Sequence, residues 1–313
     1  LGLVGYAEMA QAAGHTEKAA LWSQWASRLR SAMDAYFPVK DSKWGDVWDA
    51  SKCATWPPNH AILAAAFLGM DLYGYDPLPK LPEGWEERTR RSYKMQLAKL
   101  QPEFCSPAGL GYGQNAIAQS ALLLDEMSDS AKLVEWLTRL CFSPRQPNPY
   151  RAPEGATVAG DGSVWRRWGD LGNLYQMAES VYTIHVMLGI DDVDEQELRL
   201  IPRLPAGWTG VSIEQWPVRA KFGGKTDLMS LSYTFTKSGT LGASMTVRTA
   251  KPVDRLRVRM GPFQRNVKAV SAVVNGRQTD AKLESRGDSQ WVWVTCGNGK
   301  ATKFIIDVKG ACQ

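Results

Sequence analysis

The sequence predicts an α+β chain in which helical hairpins over residues 1–192 are followed by an antiparallel β-sandwich over residues 193–313. Three observations predict it. Apolar residues recur at three- and four-residue steps through much of the first 190 positions, the period of a helix buried on one side. After Gly189 the pattern shortens to alternating and β-branched runs, parted by turn pairs such as Ser238-Gly239 and Asn275-Gly276. The charge changes with the pattern: residues 1–195 hold 18 Lys/Arg against 24 Asp/Glu, whereas residues 196–313 hold 19 against 8.

Taken in order, the first helix runs from Leu1 through Tyr6, Met9 and Ala10 to a stop at Gly14. Thr16 then caps a second helix, whose Leu21, Trp22, Trp25, Leu29, Ala32, Met33 and Phe37 make one apolar stripe predicted to be buried. Further helices are expected at about 58–69, 83–99, 114–127, 130–142 and 171–188. The connections 38–57, 100–113 and 143–170 are long and carry Trp, Pro and Gly, and long loops on a rigid scaffold usually hold the function. Eight strands follow, at 196–201, 211–218, 228–236, 242–249, 253–259, 267–274, 290–295 and 303–308.

Composition excludes several functions. No run reaches the roughly 18 apolar residues of a membrane-spanning helix, and the start lacks a signal-peptide pattern. The compartment is not legible, although a periplasmic or extracellular one is favoured. Five cysteines without a C-x-x-C, and three scattered histidines, point away from a disulfide framework and from zinc. No metal and no cofactor is expected. Arg255, Arg257 and Arg259 alternate and therefore share one strand face, which is expected to be solvated and not a nucleic-acid site, because no interleaved aromatics accompany it. Leu1 already lies inside an apolar helical pattern, so a missing N-terminal portion of the same protein is an expected partner.

The chemistry is expected in three segments. In the richest, Pro153 and Gly155 bracket Glu154 in a stiff turn, and Trp165, Arg166, Trp168 and Asp170 follow closely. Indole faces stack on the C–H side of sugars, guanidinium forks donate, and carboxylates accept from hydroxyl pairs. Glu154 is the candidate catalytic base, and Asp170 a second catalytic candidate that orients the sugar. A solvated turn for Glu154, packing for Trp165 and Trp168, and a helix cap for Asp170 are the plainer readings. In the second segment, the glycines around Tyr112 lead into a helix without the strand or Lys-Ser/Thr of a phosphate loop, leaving Tyr112 and Gln114 as candidate substrate contacts. The third interleaves acids with indoles and contributes Trp44, Asp46 and Trp56, for which packing is an equally good account.

Paired helices, Trp-bearing loops and a β-domain after the last helix together resemble the six-hairpin glycosidases, whose catalytic domain is an (α/α)6 toroid. The Pro153-Glu154-Gly155 turn is similar to the turn bearing the catalytic base in glucoamylase-like enzymes, and the helix-then-β order resembles the C-terminal part of α-L-rhamnosidase-like ones. The resemblance implies the latter half of a toroid, a carbohydrate substrate, and glycoside hydrolysis with inversion, Glu154 acting as general base. A lyase, phosphorylase or epimerase on the same fold, and a non-catalytic carbohydrate-binding fragment, are the alternatives.

Overall fold

The computed structural model describes residues 2–36, 113–142, 153–158, 164–169, 174–192, 197–239, 241–297 and 299–312, together with 90, 93, 94, 97 and 98. The chain divides into two compact units, Leu1–Gln101 and Pro102–Gln313.

In the first unit, α1 (Gly2–Ala12) and α2 (Thr16–Tyr36) form the expected hairpin. Small residues line its seam: Ala7 and Ala19 are buried, and the Tyr6 ring lies 6.0 Å from that of Trp22. The stripe on α2 departs from expectation. Leu21, Trp22, Trp25 and Leu29 are 36–52% exposed, although Trp22 meets the Tyr6 ring of α1. Of the expected helix 83–99, the described residues 90, 93, 94, 97 and 98 are helical, with Tyr93 and Leu97 buried at the i,i+4 spacing of one helix face. The expected helix 58–69 lies outside the described residues.

The second unit starts with another antiparallel pair, α3 (Gly113–Leu123) and α4 (Met127–Phe142). Ile117, Ala121 and Leu122 of α3, and Leu133, Trp136 and Leu137 of α4, are buried at helical spacing. A hairpin of β1 (Gly155–Val158) and β2 (Val164–Trp168) follows, then α5 (Leu174–Leu188). Gly189 ends α5 with a φ of 63°, and a Cβ there would lie 2.7 Å from the Pro202 nitrogen, so only glycine lets the chain turn so close to the next segment.

The strands after α5 are β3 (Ile190–Asp191), β4 (Leu198–Leu200), β5 (Gly210–Phe222), β6 (Lys225–Ser238), β7 (Gly242–Thr249), β8 (Leu256–Phe263), β9 (Val267–Val274), β10 (Arg277–Thr279), β11 (Ala281–Arg286), β12 (Ser289–Cys296) and β13 (Lys303–Cys312). They build a six-stranded sheet in the order β10-β9-β13-β7-β6-β5 and a five-stranded sheet in the order β11-β12-β8-β4-β3. One apolar cluster joins the sheets, with Met229, Leu231, Tyr233 and Phe235 of β6 among its members alongside Leu256, Val258, Met260, Val292 and Val294 from the other sheet. Pairing is antiparallel except between β4 and β8, which run parallel. An all-antiparallel arrangement is thereby corrected: the chain crosses to the other sheet after β4 and returns to it as β8, and such a crossover permits parallel neighbours.

Charge fixes the α3–α4 turn onto the five-stranded sheet. Asp125 sits in that turn at a φ of 59°, fully buried. Arg259 of β8 grips both its oxygens in a fork, at 2.9 and 2.8 Å, and Arg286 donates at 3.0 Å. The Arg259 guanidinium lies over the Trp291 ring at 4.0 Å, and its Nε donates to Glu284 at 2.8 Å. Burial by itself would raise the Asp125 carboxyl, but the guanidiniums of Arg259, Arg286 and Arg203 outweigh it and hold the group below the usual carboxylate value. Asp288, at the β11–β12 turn, caps α4 by accepting from the Met127 and Ser128 amides at 2.9 and 2.8 Å. The basic row of β8 is thus not the solvated face expected throughout. Arg255 is exposed, Arg257 half-buried and Arg259 completely buried, because a carboxylate distant in sequence closes over it.

Candidate functional site around Glu154

The segment 143–170, expected as a loop, contains the β1–β2 hairpin. Val164-Trp165-Arg166-Arg167-Trp168 is rich in the aromatic and β-branched types that suit a pleated strand, and pairing with Gly155–Val158 satisfies its backbone. The register sets Gly155 opposite Trp168, Ala156 opposite Arg167 and Thr157 opposite Arg166, with a bulge before Val158. Pro153, which fixes its own φ, is buried at the entry to β1, as are Gly155 and Ala156.

Glu154, between these buried neighbours, is half-buried. Its side chain lies across the backbone of Gly169, the residue after β2. A Cβ on Gly169 would fall 2.6 Å from Glu154 Cβ and closer still to its Oε2. Gly169 also has a φ of 73°, a conformation costly for other residues. The carboxylate is therefore seated on peptide backbone at the end of a hairpin, with its root held by Pro153 and Gly155. A carboxylate so restricted can accept a proton or orient a water without first ordering a flexible stem.

Gly169 is the residue of this site that the sequence reading missed. Its signal was the Trp168-Gly169-Asp170 step, where a glycine directly follows two aromatic positions of a strand. Trp165, Arg166 and Trp168 lie on β2, whose backbone pairs with β1, the strand that begins at the residue after Glu154. Gln114 falls in the first turn of α3. Asp170, Tyr112, Trp44, Asp46 and Trp56 lie outside the described residues. Among the described residues no group of three His, Cys, Asp or Glu side chains is placed to hold a metal ion.

No protein-family model and no curated protein matches the chain. Among solved structures, a GH127 β-L-arabinofuranosidase from Geobacillus stearothermophilus T6 is similar over 81% of this chain, with a TM-score of 0.37 and 10% identity. The chain spans 41% of that enzyme's length.

Proposed function

We propose that this chain belongs to a glycoside hydrolase acting on oligo- or polysaccharide by inversion, with Glu154 as the general base. The observation that carries the reading is the seat of Glu154: half-buried, rooted between Pro153 and Gly155, and laid over Gly169 beside the strand that bears Trp165, Arg166 and Trp168. Hydrolysis of a glycosidic bond requires one carboxylic acid to protonate the leaving oxygen, and inversion requires a second carboxylate to activate water on the opposite face of the sugar. Glu154 fills the second role. Trp165 and Trp168 stack on the sugar, Arg166 donates to it, and Asp170, next to Gly169 in sequence, orients it. In this reading residues 193–313 form a β-domain that follows the helical region.

The test is turnover of a panel of aryl glycosides and oligosaccharides by an active preparation of the protein. Glu154→Gln preserves the shape of the side chain but not its basicity, and should lower turnover at least about a hundredfold, the lower range for loss of general-base catalysis. Unchanged turnover would remove Glu154 from the mechanism. Release of an unsaturated sugar, a sugar phosphate or an isomer would move the chain to a different reaction class.

A further inference from the structure

The outer face of the five-stranded sheet carries a cleft lined by basic side chains. Register fixes which residues share that face. Lys282 of β11 is opposite Trp293 of β12, which is opposite Arg259 of β8; in the next row Thr295 is opposite Arg257, itself in register with Arg199 of β4. The residues between them, Leu256, Val258, Val292 and Val294, belong to the core on the other side. The two ends of this face have different fates. At one end Arg259 is sealed beneath Asp125. At the other, Arg255, Arg257, Lys282 and Trp293 line a cleft of about 570 Å³, along with Thr279, Asp280 and Thr295.

The cationic groups in the cleft are oriented in advance. The Arg257 guanidinium lies 4.2 Å over the Trp293 ring, which fixes its plane. Glu197, itself buried, forms ion pairs with Arg255 at 2.8 Å and Arg199 at 3.0 Å. That carboxylate is 3.7 Å from Arg257, an ion pair without a hydrogen bond, so the fork of Arg257 faces the cleft with donors to offer. Lys282 is exposed on the facing strand. Of the side chains that line the cleft, three are cationic, Arg255, Arg257 and Lys282, and one is a carboxylate, Asp280; Glu197 pairs with Arg255 from outside the lining.

We propose that this cleft binds an acidic polysaccharide, taking the carboxylate of a uronate residue between Arg257 and Lys282 and neighbouring sugar hydroxyls on Thr279, Asp280 and Thr295. The buried end of the same face shows what its guanidiniums hold: a carboxylate, gripped in a fork by an arginine that lies on a tryptophan. The open end repeats the arginine-on-tryptophan pair, but there the chain's own carboxylate, Glu197, reaches Arg257 only at 3.7 Å, leaving its fork able to take an anion from outside. Asp280 selects among anions, since it accepts from hydroxyls but repels a closely spaced run of phosphates. Trp293 is buried beneath Arg257, so the cleft offers no free ring on which a nucleic-acid base could stack. The site concerns binding without turnover and stands apart from the Glu154 reading.

The experiment is calorimetric titration of the whole chain with galacturonate oligomers, a neutral gluco-oligosaccharide of equal length, and single-stranded DNA. Uronate oligomers should bind at about 20 mM salt and weaken at least about tenfold by about 300 mM, as expected for exposed charges. Lys282→Glu and Arg257→Gln should each weaken binding roughly tenfold or more, whereas Lys309→Glu, the same charge change on an exposed position of the other sheet, should leave it unaltered. Thermal unfolding confirms that each variant is folded, and the exposed Lys282 variant carries the test if Arg257→Gln is not. The proposal is overturned by absence of uronate binding at low salt, by equal affinity for the neutral oligomer, by tighter binding of DNA, or by a Lys282→Glu chain that binds like the parent.

Discussion

Replacing Asp125 by Asn removes one negative charge from a site where Arg259, Arg286 and Arg203 converge on a fully buried carboxylate. Two of those guanidiniums hydrogen-bond to it directly, one as a fork. Breaking a buried ion pair by removing one partner costs about 3–5 kcal/mol, because the remaining charge stays desolvated. Asn still accepts one bond through its carbonyl, so about 3 kcal/mol is expected. Asn also tolerates the left-handed backbone of this position, with its φ of 59°, whereas Asp125→Ala should cost roughly 1–2 kcal/mol more from backbone strain. Native-state hydrogen exchange at the amides of β8 and β12 reads the loss locally, without contribution from the first unit. A loss of 3 kcal/mol speeds their slowest exchange by about a hundredfold, at tenfold per 1.4 kcal/mol. Acid supplies a second readout. The folded-state carboxyl lies below its ordinary value, so its stabilisation is complete above about pH 4 and is lost as pH falls through the lower folded value. The parent should therefore approach the Asn variant below pH 4. A cost under about 1 kcal/mol, or a difference that does not shrink on acidification, would refute the argument by showing the cluster to be as weak as an exposed ion pair.

Two further outcomes are expected. Gly169→Ala places a Cβ 2.6 Å from that of Glu154 and imposes a methyl group on a φ of 73°, so it should displace the carboxylate and lower turnover by a large part of the Glu154→Gln loss while global unfolding shifts by only about 1–3 kcal/mol. Turnover near the parent's would separate Gly169 from the site. Burial pushes the Cys296 thiol up to about 12, so mass-spectrometric mapping after alkylation at pH 8 should find it unmodified in the folded chain and modified in denaturant. Rapid labelling of the folded chain would contradict its buried position.

Much of the β-region was legible because its strands obey the period-two rule. In β6 the buried Met229, Leu231, Tyr233 and Phe235 alternate with outward polar residues, and the change of pattern after Gly189 coincides with the end of α5 and the start of β3. The strands that escaped notice lack that signal. Ala281–Arg286 is mostly charged or polar, and Arg277–Thr279 entirely polar, so pairing with β12 and β9 makes them strands where their own composition does not. The β1–β2 hairpin was hidden for a similar reason, its arginines masking a strand that its aromatics would favour. Glu154 could be singled out from its proline and glycine brackets, but Gly169 is 15 positions away and meets it only once the hairpin closes. Arg259 carries the same lesson: nothing in a run of alternate arginines reveals that Asp125, 134 positions upstream, will bury one of them. The indole stripe of α2 fails in the opposite direction, since helical periodicity marks an apolar side without saying what covers it.

The pinning of the α3–α4 turn by Asp125 and Asp288 bears on where this polypeptide can be cut. A fragment starting at residue 193 keeps Arg203, Arg259 and Arg286 but loses the anion they surround, and a fragment ending at 192 leaves the first amides of α4 without the acceptor that Asp288 provides. Severed there, each piece inherits half of an electrostatic joint. Expression trials that respect the joint would start ahead of α3 and run through β13, treating the helices and the sheets that follow them as one inheritance unit.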